Sequence, residues 1–141
     1  MKAILQTLAL FLTIGLGTAS AQNIHFQSGP TITDLGTTLK VCGKLVGLGN
    51  NQLVTVSISG TQVVTTQCTN PGGNVAPGQT QTTNFMASGS YMSSKNGNVA
   101  FCLTTTEPTP GTCPNGQWTG TVTGTTFSNV TVSVNGVPVT N

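Results

Sequence analysis

The chain has 141 residues, enough for one domain, and only 4% of them are charged, against roughly a quarter in an ordinary soluble domain. Four lysines and two acids leave a formal net charge of +2, so the chain has no basic patch to neutralise nucleic-acid phosphates and no cluster of carboxylates or histidines to hold a catalytic metal. The composition therefore predicts no nucleic-acid partner, no metal and no cofactor.

The N-terminal segment has the layout of a secretory signal peptide. A positive start precedes an apolar run over 3–16, and the small residues Ala19 and Ala21 occupy the positions that a signal peptidase reads before it cleaves. This apolar run is shorter than the ~20 residues that a membrane-spanning helix needs. We expect a signal peptide at 1–21 and a single mature domain at 22–141 that has no membrane span. The protein is then secreted, and its final location is the medium, the periplasm or the cell surface.

Along the mature chain, apolar residues alternate with threonine, serine and valine between glycine and asparagine breaks, which predicts strands and no helix. The predicted strands occupy residues 39–45, 54–58, 63–68, 85–92, 99–105, 118–122 and 127–134. Long loops rich in proline, glycine and asparagine are predicted at 70–83 and 107–116. Short connections at 95–98 and at Asn135-Gly136 are typical of hairpins.

The number and spacing of these strands predict the fold class. Seven or eight short strands in about 120 residues favour a single antiparallel Greek-key β-sandwich of the immunoglobulin-like type, with a barrel as the alternative. Phe85, Phe101, Trp118 and Phe127 each lie within an apolar alternation, so we expect them to fill the space between the sheets. Pro138 cannot donate to a ladder, so the last strand is predicted at an edge.

The four cysteines of the exported part, Cys42, Cys68, Cys102 and Cys113, predict two disulfides. A zinc site is the alternative, but its cysteines are normally about two to four residues apart, and no such pair occurs. Pairing the two mid-strand cysteines and the two loop cysteines gives Cys42–Cys102 and Cys68–Cys113. The nested pairing Cys42–Cys68 with Cys102–Cys113 remains open. A bridge between the mid-strand cysteines would cross the core, as in immunoglobulin domains.

Catalytic chemistry has little support in the sequence. A serine triad built on His25 and Asp34 lacks the G-x-S-x-G elbow, and a glycosidase pair would have to be Asp34 and Glu107, whose surroundings add nothing to that hypothesis. We therefore expect a protein that is not an enzyme. The tripeptide at 129–131 has the form of a glycosylation sequon.

Two features suit ligand binding. Threonine and asparagine dominate the predicted solvent faces, and such neutral surfaces, rich in donors and acceptors, suit sugars. Tyr91 is the aromatic residue least committed to the core, and the loop at 70–83 could carry recognition. The candidate binding residues are Tyr91, Asn70, Asn74 and Gln79.

Four strings occur in order along the chain: GLGN at 47–50, CTNPGGNVAPGQ at 68–79, CPN at 113–115, and the tryptophan at 118. Together they resemble a family of small secreted bacterial β-rich proteins that has no established activity, and the resemblance covers about Leu39 to Val134. It implies that Cys68 pairs with Cys113 and that the other two cysteines form an extra bridge. It implies no catalytic residue.

Two functions from different classes follow. The first is a secreted, non-enzymatic binding or adhesion module directed at glycan or cell-envelope material, with a monomer that presents a loop or an exposed aromatic residue. The alternative is a structural or self-associating extracellular or matrix protein, in which an uncharged threonine-rich edge adds strands to a neighbour. That alternative predicts oligomers that grow with concentration and do not respond to salt.

Overall fold

The computed structural model describes residues 23–140, which form strands, turns and loops and no helix. The predicted all-β class is therefore confirmed, whereas the predicted signal peptide lies outside the described residues. The eight strands are β1 (His25–Asp34), β2 (Leu39–Val46), β3 (Leu53–Thr69), β4 (Val75–Pro77), β5 (Gln81–Met92), β6 (Val99–Thr104), β7 (Thr119–Val134) and β8 (Val137–Pro138).

The strands form two antiparallel sheets. In the smaller sheet β2 lies between β1 and β6. In the larger sheet β3 is central, with β7 and then β8 on one side and β4 and β5 on the other. After β2 the chain forms β3, β4 and β5 in the larger sheet. It then returns to the smaller sheet, where β6 pairs with β2, and this is the Greek-key order expected of a sandwich.

β3 is one strand of 17 residues where the sequence predicted two. Val54, Val56 and Ile58 face the core before Gly60. After Gly60 the even-numbered residues of β3 continue to face the core. A Cβ at Gly60 would lie 2.7 Å from the carbonyl oxygen of Ser128 and 2.8 Å from the ring of Phe85. The glycine therefore makes room for an aromatic ring on a continuous strand and does not end it.

β7 is also one strand, of 16 residues, where the sequence predicted two. A β-bulge lies in its middle, where Asn129 and Val130 together face the single residue Gly60 of β3. Asn129 has a φ of 55°, a left-handed conformation that asparagine tolerates. The asparagine of the sequon is thus exposed on a bulged strand.

One strand and two connections differ from the sequence prediction. β1 was not predicted, and the loop predicted at 70–83 contains β4 and the start of β5. The turn at 95–98 is not a hairpin, because β5 pairs with β3 and β6 pairs with β2. The hairpin at Asn135-Gly136 is confirmed and places Pro138 at the edge of the larger sheet.

The core lies between the two sheets. It contains Leu39, Val41, Leu45, Leu48, Val54, Val56, Ile58, Phe85, Val99, Phe101, Leu103, Val132 and Val134. Phe127 is half-buried and packs edge-to-face on Phe85, with ring centroids 5.4 Å apart. The prediction for Trp118 is wrong, because this half-buried residue lies outside the core cluster, just before β7 and beside Pro110 and Asn115.

Both disulfides join the cysteines that the sequence paired, Cys42 with Cys102 and Cys68 with Cys113. The expectation that the first bridge crosses the core is wrong. Cys42 and Cys102 are direct partners on neighbouring strands of one sheet, with Cα atoms 4.1 Å apart. Cys102 is exposed, so this bridge lies on the outer face of the smaller sheet. Two disulfides indicate an oxidising environment.

Candidate functional site

Asn70 and Asn74 close a tight turn after β3. The side-chain oxygen Oδ1 of Asn70 accepts a hydrogen bond of 2.8 Å from the backbone N–H of Asn74. The backbone N–H of Asn70 donates to the carbonyl of Asn74 at 2.9 Å, and Gly73, at a φ of 86°, donates to the carbonyl of Asn70. The Asn70 side chain therefore stabilises the turn, while the Asn74 side chain stays exposed.

Gln79 lies where three segments of the chain cross beside the Cys68–Cys113 bridge. Its backbone N–H donates to the carbonyl of Thr112, and that of Gly78 donates to the carbonyl of Thr66. A Cβ at Gly78 would lie 2.9 Å from Sγ of Cys68, so a side chain could not enter this crossing. The backbone of Gln79 is thus part of a rigid crossing, and its side chain is exposed.

Tyr91 is half-buried at the end of β5 and packs against the core. Its hydroxyl donates a hydrogen bond of 3.3 Å to the carbonyl oxygen of Cys102. The ring covers Gly89, where a Cβ would lie 3.2 Å from a ring carbon. The ring is therefore in contact with protein along much of its surface, and its role in binding stays a prediction.

The structure does not bring the four candidate residues together. Tyr91 pairs with Val54 near the start of β3, whereas Ala76, between Asn74 and Gln79, pairs with Cys68 near its end. Fourteen residues of extended strand correspond to about 45 Å. Tyr91 and the turn residues therefore belong to opposite ends of the sandwich and cannot contact one small ligand.

A polar cleft of about 400 Å³ lies between the first half of β5 and the segment that follows β6. Most of its wall consists of amide and hydroxyl side chains. The lining residues are Gln62, Gln81, Thr83, Asn84, Phe85, Met86, Thr105, Thr106, Glu107, Pro108 and Thr109. None of these was a candidate binding residue from the sequence.

Pairing of β3 with β5 builds one wall of the cleft. Gln62 and Thr83 are direct partners in this pair, and Nε2 of Gln62 donates to the hydroxyl oxygen of Thr83 at 3.1 Å. Gln62 is only 9% exposed, so this bond fixes the orientation of an amide that lines the cleft. The Thr83 hydroxyl keeps its own proton for a ligand.

Glu107 supplies the single charged group of the cleft lining. Its Oε1 accepts a hydrogen bond of 2.6 Å from the hydroxyl of Thr37, in the turn between β1 and β2. Asp34 has a different task, because its Oδ1 accepts the backbone N–H of Gly36 and closes that turn. The cleft therefore has one carboxylate, whereas glycosidase chemistry needs two that flank the scissile bond.

The structure also separates the residues of the hypothetical serine triad. His25 and Asp34 are the first and last residues of β1, a ten-residue strand that spans about 30 Å. His25 donates from Nδ1 to the carbonyl oxygen of Asn23 at 3.1 Å. The two side chains therefore cannot form the hydrogen bond on which a triad depends.

Comparison with known proteins yields no matching family model, no similar curated protein and no similar solved structure. Residues 23–140 contain no helix that is long and apolar enough to cross a bilayer. Within that same range, no three histidine, cysteine or acidic side chains come together in a group that could hold a metal ion.

Proposed function

We propose that the protein is a secreted, non-enzymatic binding module that takes a neutral, hydroxyl-rich ligand in the polar cleft. A glycan of extracellular or cell-envelope material has this chemistry. The observation that carries the proposal is the cleft wall, where Gln62, Gln81 and Thr83 offer amides and a hydroxyl beside the carboxylate of Glu107. Each of these groups can exchange a hydrogen bond with water for one with a sugar hydroxyl.

Secretion is supported by two independent features. The N-terminal segment has the composition of a signal peptide with a cleavage site after Ala21. The four cysteines form two disulfides, which persist in oxidising compartments and are rare in the cytosol. The mature chain then carries three lysines and two acids, so a ligand gains little from electrostatic steering.

The test measures retention of the oxidised mature protein on insoluble cellulose, on chitin and on isolated bacterial cell envelopes. We expect retention on at least one of these materials, reversed by the corresponding soluble oligosaccharide. Loss of one ligand hydrogen bond costs about 1 to 1.5 kcal/mol, which is a five- to tenfold loss of affinity. Gln81→Ala and Glu107→Gln should each weaken retention by about that factor.

Gln79→Ala is the matched control for Gln81→Ala. Both residues are glutamines, but Gln79 lies beside the Cys68–Cys113 bridge and Gln81 lies in the cleft lining. Retention that falls with Gln79→Ala or Tyr91→Phe and is unchanged by the cleft variants would place the ligand elsewhere. Absence of retention on all three materials would contradict the binding function itself.

A further inference from the structure

The lateral edges of the two sheets differ in how well they are protected against pairing with another strand. Natural sheets block their edges with proline, bulges, charged side chains or a covering segment. In β1, Pro30 lacks the N–H that a ladder needs. The register with β2 also shifts twice, between Phe26 and Ser28 and between Ser28 and Thr31. This edge is therefore irregular.

The edge of β6 is short and partly occupied. The Cα atoms of Cys42 and Cys102 are 4.1 Å apart, the close spacing of a non-hydrogen-bonded pair, so the carbonyl of Cys102 points away from β2. That carbonyl accepts the hydroxyl of Tyr91. A strand that approached β6 would have to displace this side chain.

The edge of β7 is covered at several points. β8 pairs with its end, and the N–H of Val139 donates to the carbonyl of Val132. Farther along, the N–H of Thr125 donates to the carbonyl of Gly36. Two register shifts against β3 add local twist to the strand.

The edge of β5 has none of these protections. Gln81 to Met92 pair with Val64 to Leu53 over twelve consecutive positions without a register shift. The strand contains no proline and no charged residue. Among the described residues, its outward backbone groups make no backbone hydrogen bond, and its solvent face carries Met86, which is 71% exposed. A long, regular and neutral edge is the kind that pairs with another strand.

We infer that β5 is a self-association edge, at which a second copy of this chain adds its own β5 in antiparallel orientation about a two-fold axis. An axis perpendicular to the sheet keeps the outer faces of both copies on one side, so residues of equal parity lie opposite each other. An axis through Met86 places this residue opposite its counterpart, Asn84 opposite Ser88, and Thr82 opposite Ser90. Every outer-face pair is then neutral, and no charge repels the second copy.

The size of this contact predicts a weak dimer. A twelve-residue strand is about 40 Å long and a strand layer about 10 Å thick, so each copy would bury about 400 Å² and the pair about 800 Å², which is in the range of transient complexes. The two-fold pairing uses the β5 edge of both copies, the edges of β1, β6 and β7 are protected, and the remaining edge strand β4 has only three residues and ends in a proline. Association should therefore stop at two copies.

Sedimentation equilibrium of the oxidised mature protein, without any ligand, tests the inference. We expect a monomer–dimer equilibrium that is insensitive to salt and a dissociation constant that Ser88→Lys raises at least tenfold, because edge lysines oppose strand pairing. Ser133→Lys is the matched control. Ser88, Ser57 and Ser133 form one row across β5, β3 and β7, so this control adds the same charge about 10 Å from the edge. Ser133→Lys should change the dissociation constant of the dimer less than twofold.

Amide hydrogen exchange of the unmodified protein provides a second readout that needs no variant. Outward amides of β5 should gain protection as the protein concentration rises, while those of β1 should not. A monomer at millimolar concentration, an open-ended series of oligomers, or a dimer equally sensitive to Ser88→Lys and Ser133→Lys would overturn the inference. Ser88 does not line the polar cleft, so these outcomes are separate from the test of glycan retention.

Discussion

Thr66 and Thr125 are both buried, at 3% and 7% exposure, but only one of them has a partner for its hydroxyl. The Oγ1 of Thr66 accepts the backbone N–H of Gly111 at 2.6 Å, where the loop after β6 crosses β3. The Oγ1 of Thr125 has no hydrogen-bond partner. The same residue type thus makes opposite contributions at two buried positions.

Replacement of each threonine by valine, which has nearly the same shape, measures this difference. Thr66→Val leaves the Gly111 N–H unsatisfied, and we expect the free energy of unfolding to fall by about 1 to 3 kcal/mol. Thr125→Val removes a hydroxyl that is buried without a partner, so that variant should be neutral or more stable. Urea unfolding of both variants gives the comparison. Equal losses in the two variants would contradict this difference between the two hydroxyls, and an unchanged stability of Thr66→Val would show that the Gly111 hydrogen bond contributes nothing measurable.

The alternation of residues along β2 predicts which face of the smaller sheet carries the Cys42–Cys102 disulfide. In the strand from Leu39 onward, Val41 and Leu45 belong to the set that faces the core, whereas Cys42 alternates with them and shares its parity with Lys40 and Lys44. A side chain on the lysine face cannot cross the core. The parity of the strand therefore predicts a bridge on the outer face, whereas the analogy with immunoglobulin domains predicts the wrong position.

At the scale of elements, the two disulfides should protect different parts of the molecule. The bridge between Cys42 and Cys102 joins strands that are already paired over six positions. The bridge between Cys68 and Cys113 ties the long loop after β6 to β3, and only a few hydrogen bonds, such as the one from Gly111, hold that loop otherwise.

Alanine replacement of each cysteine pair tests this division. The closed loops span 60 and 45 residues, so the chain-entropy model gives a similar loss, about 4 kcal/mol, for either bridge. Without the Cys68–Cys113 bridge, the backbone amides of Gly111 and Gln79 should exchange through local opening. Their exchange rates should then no longer depend on denaturant concentration. In the Cys42→Ala/Cys102→Ala variant they should still exchange by global unfolding. The same exchange pattern in both variants would contradict the assignment.

The sequence predicted the elements with clear alternation and missed those without it. β6 alternates strictly between buried and exposed positions, β2 places Leu39, Val41 and Leu45 in the core at alternate positions apart from Gly43, and both strands were predicted. β1 was missed because nine of its ten residues are exposed, which leaves no alternation to detect. Gly60 reads as a break in β3, and only the packing of the Phe85 ring shows why the strand continues through it.

The polar cleft could not have been predicted from local patterns. Gln62 and Thr83 are 21 positions apart and meet only because β3 and β5 pair in one register. Glu107 is 70 positions from Thr37, the residue that holds its carboxylate. Each of these residues is an ordinary polar residue in its own segment, so the site exists only at the level of tertiary structure.

At the scale of the whole molecule, export and oxidation should be linked. Neither bridge can form in a reducing cytosol, and two bridges are a large share of the stability of a domain this small. If residues 1–21 direct export, as proposed, they are therefore also a condition for folding. Expression of residues 1–141 in a bacterial host should give an exported chain that starts at Gln22 and whose mass is lower by four hydrogens, one for each cysteine.

Intact-mass measurement of the exported fraction, with and without a thiol-alkylating reagent, checks this expectation. Ala21→Leu should block cleavage at this site, because the last position before the cut requires a small residue. Ala3→Leu, in the apolar run, should leave cleavage unchanged and serves as the control. Two outcomes would contradict this link: an exported chain that retains residues 1–21, and an exported chain that reacts with the alkylating reagent without prior reduction. Either outcome would separate export from oxidation, and there would be no reason to regard the bridges as a consequence of secretion.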